Sequence, residues 1–421
     1  MGEAERWLVG LELFGMRFGL DRMRRLLTVL GSPQERFASV HVVGSNGKSS
    51  TTRLLAAVLR AEGLRAGAYL SPHLVSFAER IRVEDADAGP RELATALHRA
   101  RRATEKVDRT LDRGDRVTQF EALTAAALDE LARREVDVAV VEAGLGGRYD
   151  ATNVLDSRVT VLTTVGLEHT RWLGPTIRDV AREKLAVLRP ASHLVVGADL
   201  HPEALDEARA AAARAGATLT VARREPQAPE PLRLVALGAF QRRNLATALA
   251  AAEAFLGRPP RAEAVREVAA GTLVPGRFEI VESDPDGPTV ILDGAHNPAG
   301  AAALAESLPP FLTSRWAWSV ALVISVLDDK DAAAMLQELL PFCLAVVATQ
   351  TTNPRALPAA TLASLTAQLD GPPAHVVRDP HAALATAKGM AGPGGTVLVT
   401  GSLYLLADLK RPPGAPAGAT L

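Results

Sequence analysis

Seven consecutive residues, Gly44-Ser45-Asn46-Gly47-Lys48-Ser49-Ser50, have the types and order needed to hold a phosphate. Glycines let the backbone turn tightly so that its N–H groups face an anion. A lysine in this place neutralises β- and γ-phosphates, and the hydroxyl beside it reaches Mg2+. The run follows the short β-branched stretch Val40-His41-Val42-Val43 and opens a helical stretch from Thr51 to Glu62. Leu54, Leu55, Val58 and Leu59 line one face of that stretch, and Gly63 stops it. A complete G-x-x-x-x-G-K-[ST] loop needs glycine at 42, where this chain has Val42. The strand–loop–helix context therefore carries the phosphate reading, with a plain turn as the alternative.

Glu142 ends an apolar run and is followed by Gly144-Leu145-Gly146-Gly147; His169 lies just past another such run. In open α/β sheets ligands gather at the carboxyl ends of strands, so both side chains can approach a metal-bound nucleotide beside the phosphate loop. Taken singly, a strand-end glutamate is more often a cap or an ion pair, and a histidine more often structural. Asp293-Gly294-Ala295-His296-Asn297-Pro298 forms a third constellation between an apolar strand and a helix, and Gly401-Ser402 occupies the same place after the last strand. Ordinary strand-to-helix turns also use Asp, Gly and Asn.

These groups need a scaffold, and strand-like and helix-like segments alternate through most of the chain. Strands are expected at Ala66–Leu70, Val136–Val141, Val159–Val165 and His193–Val196. A charged helix or helix pair is expected over Pro90–Arg113, with further helices over Thr176–Leu188, Pro202–Ala215 and Phe240–Phe255. Thr118-Gln119-Phe120-Glu121 has capping-box spacing and opens a helix to about Arg134. The boundary Gly271-Thr272-Leu273-Val274-Pro275-Gly276 divides the chain into residues 1–275 and 276–421. Beyond it, Phe278–Glu282 and Thr289–Leu292 flank Pro285-Asp286-Gly287 as a hairpin. Strands at Val320–Ile324, Leu344–Thr349, His375–Val377 and Thr396–Thr400 follow, each beside a helical pattern, and the Pro/Gly/Ala-rich tail from Arg411 is expected to fray. The fold class is α/β: two domains with mostly parallel sheets.

Composition excludes several function classes. Among 421 residues, 47 Lys+Arg balance 48 Asp+Glu, so no basic excess marks nucleic acid or an anionic membrane as partner. The single cysteine, Cys343, excludes an internal disulfide framework and a cysteine-based zinc cluster, and suits a reducing cytoplasm. No apolar run approaches the ~20 residues of a membrane span. The segment from Met1 to Arg6 has neither the basic start nor the apolar stretch of a secretory signal.

Taken in order, the motifs resemble the folylpolyglutamate synthase/dihydrofolate synthase family of the Mur ligase superfamily. The resemblance rests on Gly44–Ser50, Ser71-Pro72-His73-Leu74, Glu79–Val83, Phe120-Glu121, Glu142–Arg148 with Asp150–Asn153, and His169. It continues through Leu173-Gly174, Glu183-Lys184, Asn244, Pro275–Glu279, Asp293–Pro298, Asp329-Lys330-Asp331 and Thr400–Tyr404. It implies a P-loop mononucleotide-binding domain with folate-binding elements, then a smaller Rossmann-like glutamate-ligase domain. It also implies ATP, Mg2+ and L-glutamate as reactants: a folate or pteroate carboxylate attacks the γ-phosphate, and the glutamate amine attacks the acyl phosphate. Closure of the domains on ATP, a monomer, and action in the cytoplasm without nucleic acid or membrane are further implications.

Site roles carry over by the same resemblance. Asn46, Gly47, Lys48, Ser49 and Ser50 match the phosphate loop; Ser49 or Ser50, with Ser71, Glu142 and His169, match metal positions. Lys184 matches a lysine that is carbamylated in the family, where the added CO2 turns an ammonium into an anion that can bridge the metal. Asn244, Arg277 and Asp293 match nucleotide contacts, and His296 and Ser402 match the glutamate side. Residues Gly19-Leu20-Asp21-Arg22 and Thr118–Phe120 are candidates for the pterin side, with Phe120 able to stack on a flat ring.

The chain departs from the family pattern at Ser49 (usually Gly), Ser45 (Thr), Glu168 (Asp), Leu185-Ala186-Val187 (Ala-Gly-Ile) and Ala78 (Asn). None of these removes a phosphate or metal group. Two other readings remain at this stage. One is a Mur-type ligase acting on another carboxylate such as a cell-wall precursor. The other is a nucleotide switch, which would have no need of Lys184, Glu142 and His169.

Overall fold

Strands built from Val, Ala, Leu and Ile have no polar face to offer water, so they are stable only between layers of helices. β1 (Ala38–Val43), β5 (Val138–Glu142) and β6 (Val159–Leu162) are mostly of this kind, with Ser39, His41, Glu142 and Thr160 as their polar residues, and are buried except at Ala38. With β2 (Ala66–Tyr69), β3 (Ile81–Val83), β4 (Ala86–Asp87), β7 (His193–Val196) and β8 (Thr218–Val221) they make an eight-stranded sheet in the order β4-β3-β2-β5-β1-β6-β7-β8. Pairing is parallel from β2 across to β8. β3 pairs antiparallel with β2, and β4 antiparallel with β3, as a short extension at one edge.

The structure is a computed structural model, and it describes residues 2–11, 19–227, 231–282, 287–312 and 320–412. The chain divides into two compact units: Met1–Leu234 with Arg242–Thr272, and Val235–Gln241 with Leu273–Leu421. The composition shift puts a single boundary at 275/276. In the structure the second unit begins at Leu273 and also takes residues 235–241.

In the first unit, helix Lys48–Ala61 packs Leu54, Leu55 and Val58 on Val40, Val42 and Val140 of the sheet. A separate cluster beyond β6 and β7 joins Leu162 and Val196 to Val180 and Leu185 of helix Ile177–Leu185. Gln119–Arg133 is a helix capped as its sequence predicts. Thr118 Oγ1 accepts from Glu121 N at 3.3 Å while Glu121 Oε2 accepts from Thr118 N at 2.9 Å. The charged stretch is one helix, Pro90–Asp108, not a pair. Helices Glu3–Val9, Asp21–Val29 and Ala262–Gly271 were not expected from the sequence, although Met23, Leu26 and Leu27, and likewise Ala264, Val265 and Val268, form buried stripes at helical spacing.

The second unit holds a six-stranded sheet: β9 (Glu279–Glu282), β10 (Thr289–Leu292), β11 (Val320–Ile324), β12 (Cys343–Ala348), β13 (Ala374–Val376) and β14 (Thr396–Thr400). Its order is β13-β12-β11-β14-β10-β9, parallel except for β9. β9 and β10 pair antiparallel, as the hairpin expectation requires, although Pro285 and Asp286 of its turn lie outside the described residues. So does the tail from residue 413. Cys343 is a buried apolar group whose Sγ donates to Leu339 O at 3.2 Å, and burial pushes its thiol up to about 12. No helix among the described residues is long and apolar enough to cross a membrane.

Candidate active site

The phosphate loop links the end of β1 to helix Lys48–Ala61, whose first amides face the loop. Two threonines just past β6 pin it. Ser45 N donates to Thr164 O at 2.8 Å, Asn46 N to Thr164 Oγ1 at 2.9 Å, and Thr163 Oγ1 to Asn46 O at 2.7 Å. The turn needs glycine at two points. Gly44 has φ +152 and a methyl there would strike Thr163 Oγ1; Gly47 has φ +83 and a methyl would fall 2.6 Å from Asn244 Oδ1. Asn244 therefore lies directly against the loop.

Both lysines of the sequence reading converge here. Lys48 Nζ donates to Gly44 O at 3.0 Å and to Ser45 O at 3.2 Å. Lys184 Nζ donates to the same Gly44 O at 2.9 Å and to Glu168 Oε1 at 2.9 Å. The Lys184 side chain is 2% exposed and that of Glu168 is 8% exposed. Burial pushes the Lys184 ammonium below the usual lysine range, and Lys48 pushes it the same way against the pull of Glu168. Burial alone would raise Glu168, but the Lys184 and Lys48 charges together hold its carboxyl down to about 2. The two shifts agree physically: the carboxylate faces two cations, whereas Lys184 faces one anion and one cation.

Glu142, the last residue of β5, gathers two sequence-predicted residues. Ser49 Oγ donates to its Oε1 at 2.9 Å, and Ser71 N donates to its Oε2 at 3.0 Å. Between the two loop serines it is Ser49 that hydrogen-bonds Glu142, while Ser50 is buried in the helix. His169 sits one residue past Glu168 with φ +47, at the start of helix Thr170–Leu173, and is half-buried. Among the described residues no three His, Cys, Asp or Glu side chains group as metal ligands. A carboxylate flanked by a serine hydroxyl nevertheless suits Mg2+, which prefers hard oxygen donors and takes one or two carboxylates together with substrate phosphates.

Phe120 packs its ring on the Gly144 backbone and lies 6.3 Å from the Tyr69 ring. Arg22 is committed to the protein: its Nε donates to both oxygens of Glu121 at 3.0 and 3.1 Å.

In the second unit the candidate residues share the carboxyl edge of neighbouring strands β10 and β14. Asp293 accepts from Phe278 N and Ala295 N, both at 2.8 Å. Burial raises its carboxyl above the usual range, against the pull of Arg277. Arg277 NH1 donates to Gly276 O at 3.0 Å and packs against Gly294. His296 Nδ1 lies 2.9 Å from Gly294 O, and a carbonyl only accepts, so Nδ1 carries a proton. Ala295 O accepts from Gly401 N at 3.0 Å, tying the His296 loop to the turn that carries Ser402. Ser402 Oγ accepts from Tyr404 N at 3.1 Å and caps helix Leu403–Leu409.

Residues 276–403 match the family described as Mur ligase, glutamate ligase domain. A dihydrofolate synthase/folylpolyglutamate synthase of Bacillus subtilis is 31% identical over 97% of this chain and 98% of its own length. The chain belongs to the folylpolyglutamate synthase/dihydrofolate synthase family. A probable bifunctional folylpolyglutamate synthase/dihydropteroate synthase of Haloferax volcanii is 35% identical over 97% of this chain, which spans 50% of that protein's length. The solved folylpolyglutamate synthase of Mycobacterium tuberculosis, complexed with ADP, superposes with a TM-score of 0.88 at 31% identity, covering 99% of this chain and 98% of that one. Members of this family are ATP-dependent ligases, and so is this chain. A ligase for cell-wall precursors is not favoured, because these curated relatives carry folate-synthase names.

Several residues of the site escaped the sequence reading. Thr163 and Thr164 look like ordinary strand residues, and only the fold shows that they hold the loop. The carbonyl of Gly44 as the shared acceptor of two lysines has no sequence signal. Asp150 had one, its place in the motif after the glycines, and it proves to anchor that loop by accepting from Leu145 N at 2.8 Å.

Proposed function

We propose that this chain joins L-glutamate to the free carboxylate of dihydropteroate, of a tetrahydrofolate polyglutamate, or of both, with ATP and Mg2+. An acceptor carboxylate oxygen attacks the γ-phosphorus, and the bond from that phosphorus to the β,γ-bridging oxygen breaks, releasing ADP and leaving an acyl phosphate. The glutamate amine, having lost its ammonium proton to solvent, then attacks the acyl carbon. The carbon–oxygen bond to phosphate breaks, and phosphate leaves as the amide forms. Phosphoryl transfer of this kind needs positioning and charge neutralisation more than covalent help.

Lys48 and the amides of Asn46 and Gly47 cradle the phosphates in this reading, with Asn244 fixing the loop. Glu142, Ser49 and Ser71, with His169 nearby, would hold Mg2+, which when bound offsets phosphate charge. Phe120 lies beside the acceptor's flat ring; Arg277 and Asp293 serve the nucleotide; His296 and Ser402 serve the incoming glutamate. Lys184 is the group to be carbamylated: its nitrogen adds to CO2, loses one proton, and becomes an anion. Its depressed basicity favours the neutral amine that this addition needs. The enzyme acts as a monomer in the cytoplasm, with small molecules as its partners.

The observation that carries this reading is the convergence of Ser49 and Ser71 on Glu142, beside a loop held by two lysines, in a chain of this family. ADP release with ATP, Mg2+ and L-glutamate tests it. Release is expected to depend on dihydropteroate, tetrahydrofolate or both; release independent of any folate, or none, would contradict it.

A further inference from the structure

We infer that His41 is a positioning residue, a neutral imidazole that sets Asp150 and the glycine loop after Glu142 through the hydroxyl of Thr152. His41 lies in β1 in register with Val141 and Thr160 and has no exposed surface. Its Nε2 is 2.7 Å from Thr152 Oγ1. That hydroxyl has one proton, and it is donated to Asp150 Oδ1. The hydroxyl must therefore accept from the imidazole, which fixes the proton on Nε2. Nδ1 is buried without a hydrogen-bond partner among the described residues, and the Nε2–H tautomer leaves it as a bare lone pair. The other tautomer would strand a buried N–H, a costlier arrangement. Burial and the nearby Arg189 charge push His41 down to about 3, so it stays neutral.

The far end of the relay is the site. Asp150 Oδ1 also accepts from Thr152 N at 3.0 Å, leaving Oδ2 to accept from Leu145 N at 2.8 Å. A methyl on Gly144 would lie 2.5 Å from the Phe120 ring and 3.0 Å from Asp150 Oδ2, so ring and carboxyl flank one backbone atom. A carboxyl turned by the relay would shift both the loop that follows Glu142 and the floor on which Phe120 lies. A buried histidine that only fills space would do neither. This inference rests on the proposed acceptor role of Phe120 for its kinetic consequence, but not for the relay itself.

Three variants and one spectrum test it. His41→Leu keeps volume and removes the N–H; His41→Gln places an amide N–H where Nε2 stood; Thr152→Val removes the relay hydroxyl. Loss of one hydrogen bond predicts about a tenfold rise in acceptor KM for His41→Leu and Thr152→Val, with kcat and ATP KM near wild type. His41→Gln is expected to recover most of that loss. Equal effects of Leu and Gln, or a loss confined to kcat and ATP KM, would overturn the inference. Nitrogen NMR of the wild-type imidazole is expected to show the Nε2–H tautomer; Nδ1–H would overturn the relay whatever the acceptor. If the tautomer and the Leu/Gln contrast hold with a different carboxylate acceptor, the relay stands and the folate reading falls.

Discussion

Lys48 and Lys184 donate to one carbonyl oxygen, that of Gly44, at 3.0 and 2.9 Å. Two ammonium groups on one acceptor repel each other, and Glu168 is the anion that offsets this on the Lys184 side. In the unmodified chain the pair concentrates positive charge at the Gly44 carbonyl; under the proposed function Lys48 turns from its loop carbonyls to the phosphates, and Lys184 gives up its positive charge on carbamylation.

Lys184→Ala should lower kcat at least a hundredfold, the scale of losing a main electrostatic group in a water-excluded site. Excess bicarbonate should not restore it, and intact-mass measurement of the wild-type protein should show the mass of one added CO2. Full activity in Lys184→Ala would remove this residue from the mechanism.

Ser49 and Ser50 should differ in effect. Ser49→Ala removes the hydroxyl that donates to Glu142, and a raised Mg2+ requirement with about a tenfold lower kcat is expected for one charge-assisted hydrogen bond. Ser50→Ala, buried in the helix, should leave the Mg2+ requirement unchanged. Mg2+ titrations of both variants would show a reversed order if the assignment were wrong.

Glu168 gives a pH dependence. Its carboxyl is held down to about 2 from the ordinary 4.5 of a glutamate, so the folded state favours the anion. The stability it contributes is fully present above pH 4.5 and is lost as pH falls toward 2. Glu168→Gln should be less stable at neutral pH by about 3 kcal/mol, the scale of breaking a buried pair, and should have a flatter acid limb. Denaturant melts from neutral to acid pH check this; parallel curves for the two proteins would contradict it.

Gly47→Ala should damage the loop without touching the core. The added methyl meets Asn244 Oδ1 at 2.6 Å on a residue with φ +83. ATP KM is expected to rise at least tenfold while the melting temperature moves little. Unchanged ATP kinetics would show that the Gly47–Asn244 approach is not needed for nucleotide binding.

Parts of this molecule that obey local rules were legible from sequence. The Thr118–Glu121 capping box, the apolar strands and the antiparallel β9–β10 pair all follow from spacing and residue type. Glu142 was legible as a strand-end group and Ser49 as the hydroxyl beside Lys48, while Ser71 entered only through the resemblance. What stayed hidden depends on strand order. β5 and β6 flank β1, and that placement alone brings Glu142 and Thr163 beside the phosphate loop. Helix Glu3–Val9 is short and charged and is buried through Ala4 and Leu8, which left little pattern to read, whereas the stripe Met23, Leu26 and Leu27 of helix Asp21–Val29 was legible and was passed over. His169 shows the reverse: a type and place that suggested a ligand, at a half-buried helix start one residue from Glu168.

The most direct test of the central claim is the fate of the acceptor's carboxylate oxygen. Acceptor labelled with heavy oxygen in that carboxylate, turned over with ATP, Mg2+ and L-glutamate, should pass one labelled oxygen into the released phosphate, because the acyl phosphate is cleaved at its carbon–oxygen bond. Phosphate free of label, with amide formed, would contradict attack of the carboxylate on ATP.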